Sequence, residues 1–227
     1  MAGRHASPNI RRVSRQVRRA ALIEATLVCL RKYGHTGVSI RRISKEAGVS
    51  VGLINHYFPK KASLVATAYE KLAMSLLQSY RRGTKDKALT ARESLRRFFD
   101  AYFAPEMIAP EMFKVWLVFW STAAHDDETR IVYDEVYRVY RANLEVLLGD
   151  LRRSKGVPKF HLRRAAIGLT GLMDGLWLQL SLNPHTLKAS DAVRACDDWV
   201  HALCVVPYLV IAEKSRAPRA VRMPAIA

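Results

Sequence analysis

Acidic residues, cysteine, glycine and proline are all scarce in this 227-residue chain. Its 20 Asp and Glu stand against 37 Lys and Arg, a formal net charge of +17 with a pI near 10.2. Such an excess points to a polyanionic partner, nucleic acid or an anionic membrane surface, and charge alone does not choose between them. The 11 glycines and 9 prolines fall below the usual share of about 12 %. That disfavours a turn-rich sandwich or barrel and favours helices. Three cysteines, Cys29, Cys196 and Cys204, make neither a disulfide framework nor a paired metal spacing. They sit among apolar neighbours, where a free Cys behaves as a small hydrophobe, and they fit a reducing cytoplasm.

Chemical signatures are missing too. There is no Gly-rich phosphate loop, nucleophile elbow or HExxH, and His125, His161, His185 and His201 share no metal spacing. No catalysis, cofactor or metal is therefore expected. The basic first thirty residues lack an apolar run followed by a small-residue cleavage site, so no signal peptide is expected. The nearest approach to a membrane span, 165–182, is interrupted by Asp174 and three glycines. A carboxylate at the bilayer centre costs about 2.5–3.5 kcal/mol, so this stretch is predicted to be a buried core helix. What remains is a chain half hydrophobic and a quarter charged, long enough for one domain or two small ones and able to bury a sizeable core.

The charge is placed unevenly. Residues 1–62 carry 13 Lys and Arg against only Glu24 and Glu46, a net +11, while the other 165 residues carry +6. A basic first quarter on a nearly balanced remainder reads as a nucleic-acid module attached to something else. Residues 1–14 and the proline-containing stretch from Pro207 are predicted to be a basic arm and a loose tail.

Apolar spacing from Arg15 to Tyr33 predicts an amphipathic helix, closed by Gly34 and Gly37. Ser39 has the chemistry to cap a short helix over 40–47, and Gly48 stops it. Ser50 caps a second, running to about Phe58. Two short helices around a glycine turn predict a helix-turn-helix. Ile54 and Phe58, four apart, anchor the second helix. Its opposite side presents Ser50, Val51, Asn55, His56 and Tyr57, groups suited to phosphates and base edges, while Gly52 allows close backbone approach. Lys60 and Lys61 follow where the next helix begins.

The run from Val38 to Leu64 resembles the DNA-binding motif of the TetR family. It contains the Ala47-Gly48-Val49-Ser50 turn, Tyr57-Phe58 at the end of the recognition helix, and Lys61 three residues beyond. The resemblance implies an all-α homodimer with an N-terminal three-helix DNA module, here 15–62, and a ligand-binding and dimerisation domain, here 63–206. It implies that Ser39, Ser50, Val51, Gly52, Asn55, His56, Tyr57 and Lys61 face double-stranded operator DNA. Leu53 and Asn55 depart from the family's usual polar and aromatic residues at those places.

Beyond Ala62, helices are predicted over about 62–82, 90–103, 111–124, 126–154, 161–182 and 190–206, for about nine in all. Two clusters stand out. Phe113, Trp116, Leu117 and Trp120 recur at i, i+3, i+4, i+7. Thr170, Asp174, Trp177 and Ser181 share a face of the apolar helix, with Gly168, Gly171 and Gly175 where another backbone can approach. Trp and Phe at this spacing commonly form core, and Asp174 could pair with an Arg or cap a kink at Gly175. A carboxylate beside tryptophan faces is also the chemistry of a quaternary-ammonium cage, each face attracting the cation by about 0.5–2 kcal/mol.

The segments 112–125, 171–178 and 52–58 resemble the choline-responsive repressors of glycine-betaine synthesis within the TetR family. That resemblance implies a small cationic inducer, choline or a similar quaternary amine. The expected pocket is Trp116, Trp120, Asp174 and Trp177, with Tyr102 and Phe99 as further candidates. Two other readings stand beside it: a regulator of the same family with an apolar or aromatic inducer, and a non-specific basic protein binding nucleic acid or a membrane surface.

Overall fold

A computed structural model describes residues 8–84 and 88–205, and every regular element among them is helical. In chain order they are α1 (Pro8–Gly37), α2 (Ile40–Ala47), α3 (Val51–Tyr57), α4 (Lys61–Gly83), α5 (Ala91–Tyr102), α6 (Pro105–Ile108), α7 (Pro110–His125), α8 (Asp127–Arg153), α9 (Leu162–Leu182) and α10 (Ala189–Val205). The all-α expectation holds. The tenth helix is α6, a single turn set between Pro105 and Pro110, each proline at the first position of a helix where its missing N–H costs nothing.

Helix α1 starts at Pro8 rather than Arg15, because no glycine or proline interrupts residues 9–33. The expected arm of 1–14 thus loses its second half to the helix; residues 1–7 and the tail of 207–227 lie outside the described residues. Near its other end α1 is kinked at Gly34 (φ 59°, ψ −155°), a conformation few side chains tolerate. Four helix starts follow the capping chemistry of their sequences: Ser39, Ser50, Thr90 and Asp126 each accept a hydrogen bond from a backbone N–H three residues on.

Two buried clusters organise the packing. The first joins α1, α2, α3 and the start of α4 to α7, around Leu22, Leu30, Ile43, Ile54, Leu64 and Phe119. The second joins the end of α4 to α5, α8, α9 and α10, around Leu95, Phe98, Leu144, Leu169 and Val200. Cys29 and Cys196 are buried within them as free thiols, and burial pushes the Cys196 thiol up to about 12. They are packing residues.

Among the described residues, α9 alone is long and apolar enough to cross a membrane by length and composition. One of its sides is buried through Ala166, Leu169, Met173, Trp177 and Leu180 against α8 and α10.

Candidate functional site

The helix-turn-helix is held by short-range bonds. Gly48 takes the left-handed conformation (φ 64°), the Val49 N–H donates to the Ser44 carbonyl (3.0 Å), and the Ser44 hydroxyl donates to the Val49 carbonyl (2.8 Å). Ile54 is fully buried and Phe58 nearly so, which fixes the rotation of α3 about its axis. Ser50, Val51, Gly52, Asn55 and His56 are consequently exposed, and Tyr57 is half-buried. Ser39 and Ser50 use an oxygen lone pair in capping, at 3.3 and 3.2 Å, which leaves each hydroxyl proton free to be donated.

Lys61 is exposed, yet its ammonium donates to the Val38 carbonyl at 3.2 Å, tying α4 to the entry of α2. Only its remaining donors are available to a phosphate. Three cations lie over rings of the same module: the Arg19 guanidinium 5.2 Å from the centre of the Phe58 ring, and the Arg42 guanidinium and Lys32 ammonium 4.6 and 5.2 Å from that of Tyr33.

The second site is a cavity at the seam between the two clusters, with about 620 Å³ of atom-free space, part of it open to solvent. The room it leaves for the centre of a water-sized molecule is about 70 Å³. Five of the six expected ligand residues line it: Trp116 and Trp120 from α7, Asp174 and Trp177 from α9, and Tyr102 from α5. The sixth does not. Phe99 is fully buried against Phe98 in the second cluster, and only Tyr102, nearly one turn later, reaches the cavity.

Sequence reasoning found Tyr102 but missed four other tyrosines of the cavity. Tyr137 and Tyr140 from α8 and Tyr69 and Tyr80 from α4 complete its aromatic lining, with Ala73, Leu76, Leu77, Met107 and Val136 as the aliphatic part. The spacing of Tyr133, Tyr137 and Tyr140 at i, i+4, i+7 carried that signal, masked by the charged residues between them. A second, more open hollow adjoins the cavity through Trp120, Tyr137 and Asp174, with Tyr133, Arg130 and Asp134 on its rim.

Asp174 is the only acid of the lining. The Tyr102 hydroxyl donates to its Oδ1 (2.7 Å) and the Tyr137 hydroxyl to its Oδ2 (2.8 Å). No Lys or Arg among the described residues forms an ion pair with it, and α9 runs through Gly175 without left-handed backbone there. Neither the arginine partner nor the kink is present. Burial raises the pKa of Asp174, and the two phenol hydrogen bonds oppose that rise.

The tryptophans are set edge to face. Trp177 meets Trp120 at 5.8 Å and 88°, and Trp116 at 6.5 Å and 80°. Trp177 is oriented by its indole N–H, which donates to the Met107 carbonyl (2.8 Å), so α6 has a task in positioning the cavity wall.

The glycines of α9 behave unequally. A Cβ at Gly168 would lie 3.1 Å from the Trp199 ring, whereas at Gly171 and Gly175 it would meet nothing within 4 Å. The close neighbour at Gly168 is a side chain rather than the expected backbone.

Residues 22–68 match the bacterial regulatory proteins of the tetR family, and residues 91–205 match the C-terminal domain of BetI-type transcriptional repressors. The chain belongs to the TetR family. Its TetR-family relatives include the HTH-type transcriptional regulators BetI of Paraburkholderia xenovorans, 31% identical over 188 residues, and Paraburkholderia phytofirmans, 32% identical over 186 residues. Each alignment covers 82% of this chain and 93% of the relative. A transcriptional regulator from Pseudomonas aeruginosa PAO1 is similar in structure, with a TM-score of 0.75 and 38% identity over 90% of this chain and 95% of that one. A regulator from Saccharomonospora viridis, solved in complex with choline, shares the fold at a TM-score of 0.71 and 18% identity, over 81% of this chain and 95% of the other. This TetR-family protein is accordingly a DNA-binding transcriptional regulator of the BetI type and not an enzyme.

Proposed function

We propose that this regulator is a cytoplasmic homodimeric repressor whose hold on a near-palindromic operator is released by choline or a similar quaternary amine, and that it controls genes of glycine-betaine synthesis. The observation that carries the ligand is Asp174, a carboxylate inside an aromatic cavity with no ion-paired Lys or Arg among the described residues. Two phenol hydrogen bonds steady its oxygens but leave its negative charge uncompensated. A cation supplies the missing charge. Ring faces on Trp116, Trp120 and Trp177 suit a trimethylammonium, which asks for dispersion and field where a primary ammonium asks for three acceptors. The BetI names of the relatives and the choline-bound neighbour point the same way.

For DNA, the exposed side of α3 supplies Ser50, Val51, Gly52, Asn55, His56 and Tyr57, with Ser39 and Lys61 beside them for phosphates. Residues 15–62 act as the DNA module and 63–206 as the ligand and dimer domain. The dimer face we assign is on α9, where Ile167, Gly168, Gly171, Gly175, Leu178 and Leu182 follow one another at helical spacing. Ile167, Leu178 and Leu182 are all exposed there. Two copies joined on that face carry paired recognition helices to successive major grooves, about 34 Å apart.

The cavity and the DNA module share a helix. Helix α4 begins directly after α3 and passes Tyr69, Ala73 and Leu77 along the cavity wall. At its start the Ser63 hydroxyl donates to Glu128 near the head of α8 (3.0 Å), the helix that carries Tyr137. A cation that favours one arrangement of α4 and α8 shifts the dimer by its differential affinity for the two states, and by no more than that.

Fluorescence anisotropy with a duplex from the region upstream of the chain's own gene tests both halves. Tight, steeply salt-dependent binding that choline reverses is expected. Equal binding to a scrambled duplex sinks the operator reading, and binding indifferent to millimolar choline sinks the ligand reading.

A further inference from the structure

We propose that Tyr69 reads a neutral hydroxyl group on the cationic ligand, so that the cavity selects a quaternary ammonium alcohol over a plain quaternary ammonium. The inference rests on the reading of the cavity as a cation site. Tyr69 lies on α4 with no exposed surface. Its ring is fixed by Phe119 (4.7 Å), Trp116 (5.7 Å) and Tyr133 (5.9 Å, stacked).

Its hydroxyl has no such place. Among the described residues only Tyr69 Oη and Ser181 Oγ are buried side-chain polar atoms without a hydrogen-bond partner, and of these only Tyr69 lines the cavity. Three other phenols of the lining are engaged: Tyr102 and Tyr137 donate to Asp174, and Tyr140 donates to the Met173 sulfur (3.7 Å). A phenylalanine would make the same ring contacts as Tyr69. The hydroxyl is therefore a cost to the empty protein, recovered when something in the cavity bonds to it.

The chemistry of that group follows from its surroundings. Burial raises the Tyr69 phenol well above its usual range, so it stays protonated and offers one donor and one acceptor. The negative field of Asp174 reaches the same oxygen. A second anionic group placed there is repelled, and a second cation finds no carboxylate of its own. A hydroxyl, neutral and able both to donate and to accept, satisfies the site.

Calorimetry of the intact protein with choline, ethyltrimethylammonium and glycine betaine tests this. Ethyltrimethylammonium is choline with its hydroxyl replaced by hydrogen. The native protein is expected to prefer choline by about tenfold. In Tyr69→Phe that preference falls to about unity while ethyltrimethylammonium binds as before, which also shows the variant folded. The same choline preference in both proteins, or no preference in the native one, overturns the role of Tyr69 and leaves the cation site standing. Glycine betaine binding as tightly as choline overturns the neutral group. Failure of both cations to bind the native protein overturns the cation reading and this one with it.

Discussion

The two buried clusters are built to opposite ends. Around α2 and α3 the filling is aliphatic, Leu22, Leu30, Ile43, Ile54 and Leu64, and every polar group that shapes the turn is bonded within a few residues. Around the cavity the filling is aromatic, and its polar contacts span long stretches of chain: Tyr102 and Tyr137 reach Asp174 from 72 and 37 residues away, and Trp177 reaches Met107 from 70. The first arrangement makes a stiff reading head whose orientation is set by two anchors. The second leaves room at the junction of six helices and lines it with aromatic and phenolic groups.

The largest contrast comes from removing an anchor on the packed side. Ile54→Ala leaves a hole where nothing is free to collapse, and a loss of about 2–5 kcal/mol in unfolding free energy is expected by chemical denaturation. Operator binding falls with it, while the cation affinity of the molecules still folded is preserved. Loss of both functions in equal measure would erase the distinction between the two ends.

Asp174→Asn tests the other side. It keeps the shape and gives up the charge, so choline affinity is expected to drop about 100-fold, or ~2.7 kcal/mol. Stability and operator affinity stay level, because a buried uncompensated carboxylate contributes little to the empty fold. An unchanged calorimetric affinity would remove the cage.

A pH series sharpens the same point. The Asp174 pKa is raised in the empty protein, and a bound cation pulls it back down. Binding therefore ejects a proton in the window between those two values. Affinity climbs as pH rises through the window and levels off above it. Calorimetry in buffers of different ionisation enthalpy measures the released proton directly. The tyrosines around Asp174 remain protonated throughout, since burial raises Tyr69, Tyr102, Tyr137 and Tyr140 alike.

Ser50→Ala should have the smallest effect, about 1 kcal/mol of stability for one lost helix cap. A larger loss in operator affinity than in stability would mean that the hydroxyl touches DNA as well as capping α3.

The same contrast explains what could be read before any coordinates. The reading head is largely local: Ser39, Gly48 and Ser50 cap or close helices through bonds to residues at most four positions away, so a sequence displays most of the device. The sequence hides the start of α1, because the basic run after Pro8 has the composition of a solvated arm although nothing in it breaks a helix. The cavity was legible in part. Asp174 and the tryptophans announce themselves by composition, an acid and indoles in apolar helices. Phe99 and Tyr102 lie three apart on α5, and only tertiary packing decides that one faces the core and the other the cavity. Tyr69 gave no local sign at all, because its use depends on α7 and α8 closing around it.

Helix α7 belongs to both worlds. Val115, Val118 and Phe119 bind it to the stiff end, where it runs along α1, while Trp116 and Trp120 look into the hollow. Alternate residues of one short rod are thus gripped by different neighbours, and its Lys114 stands where a side chain added at the Gly34 kink of α1 would meet it. On the proposed reading, a guest that shifts the indoles would shift α7, and with it the helix that borders the groove-reading head.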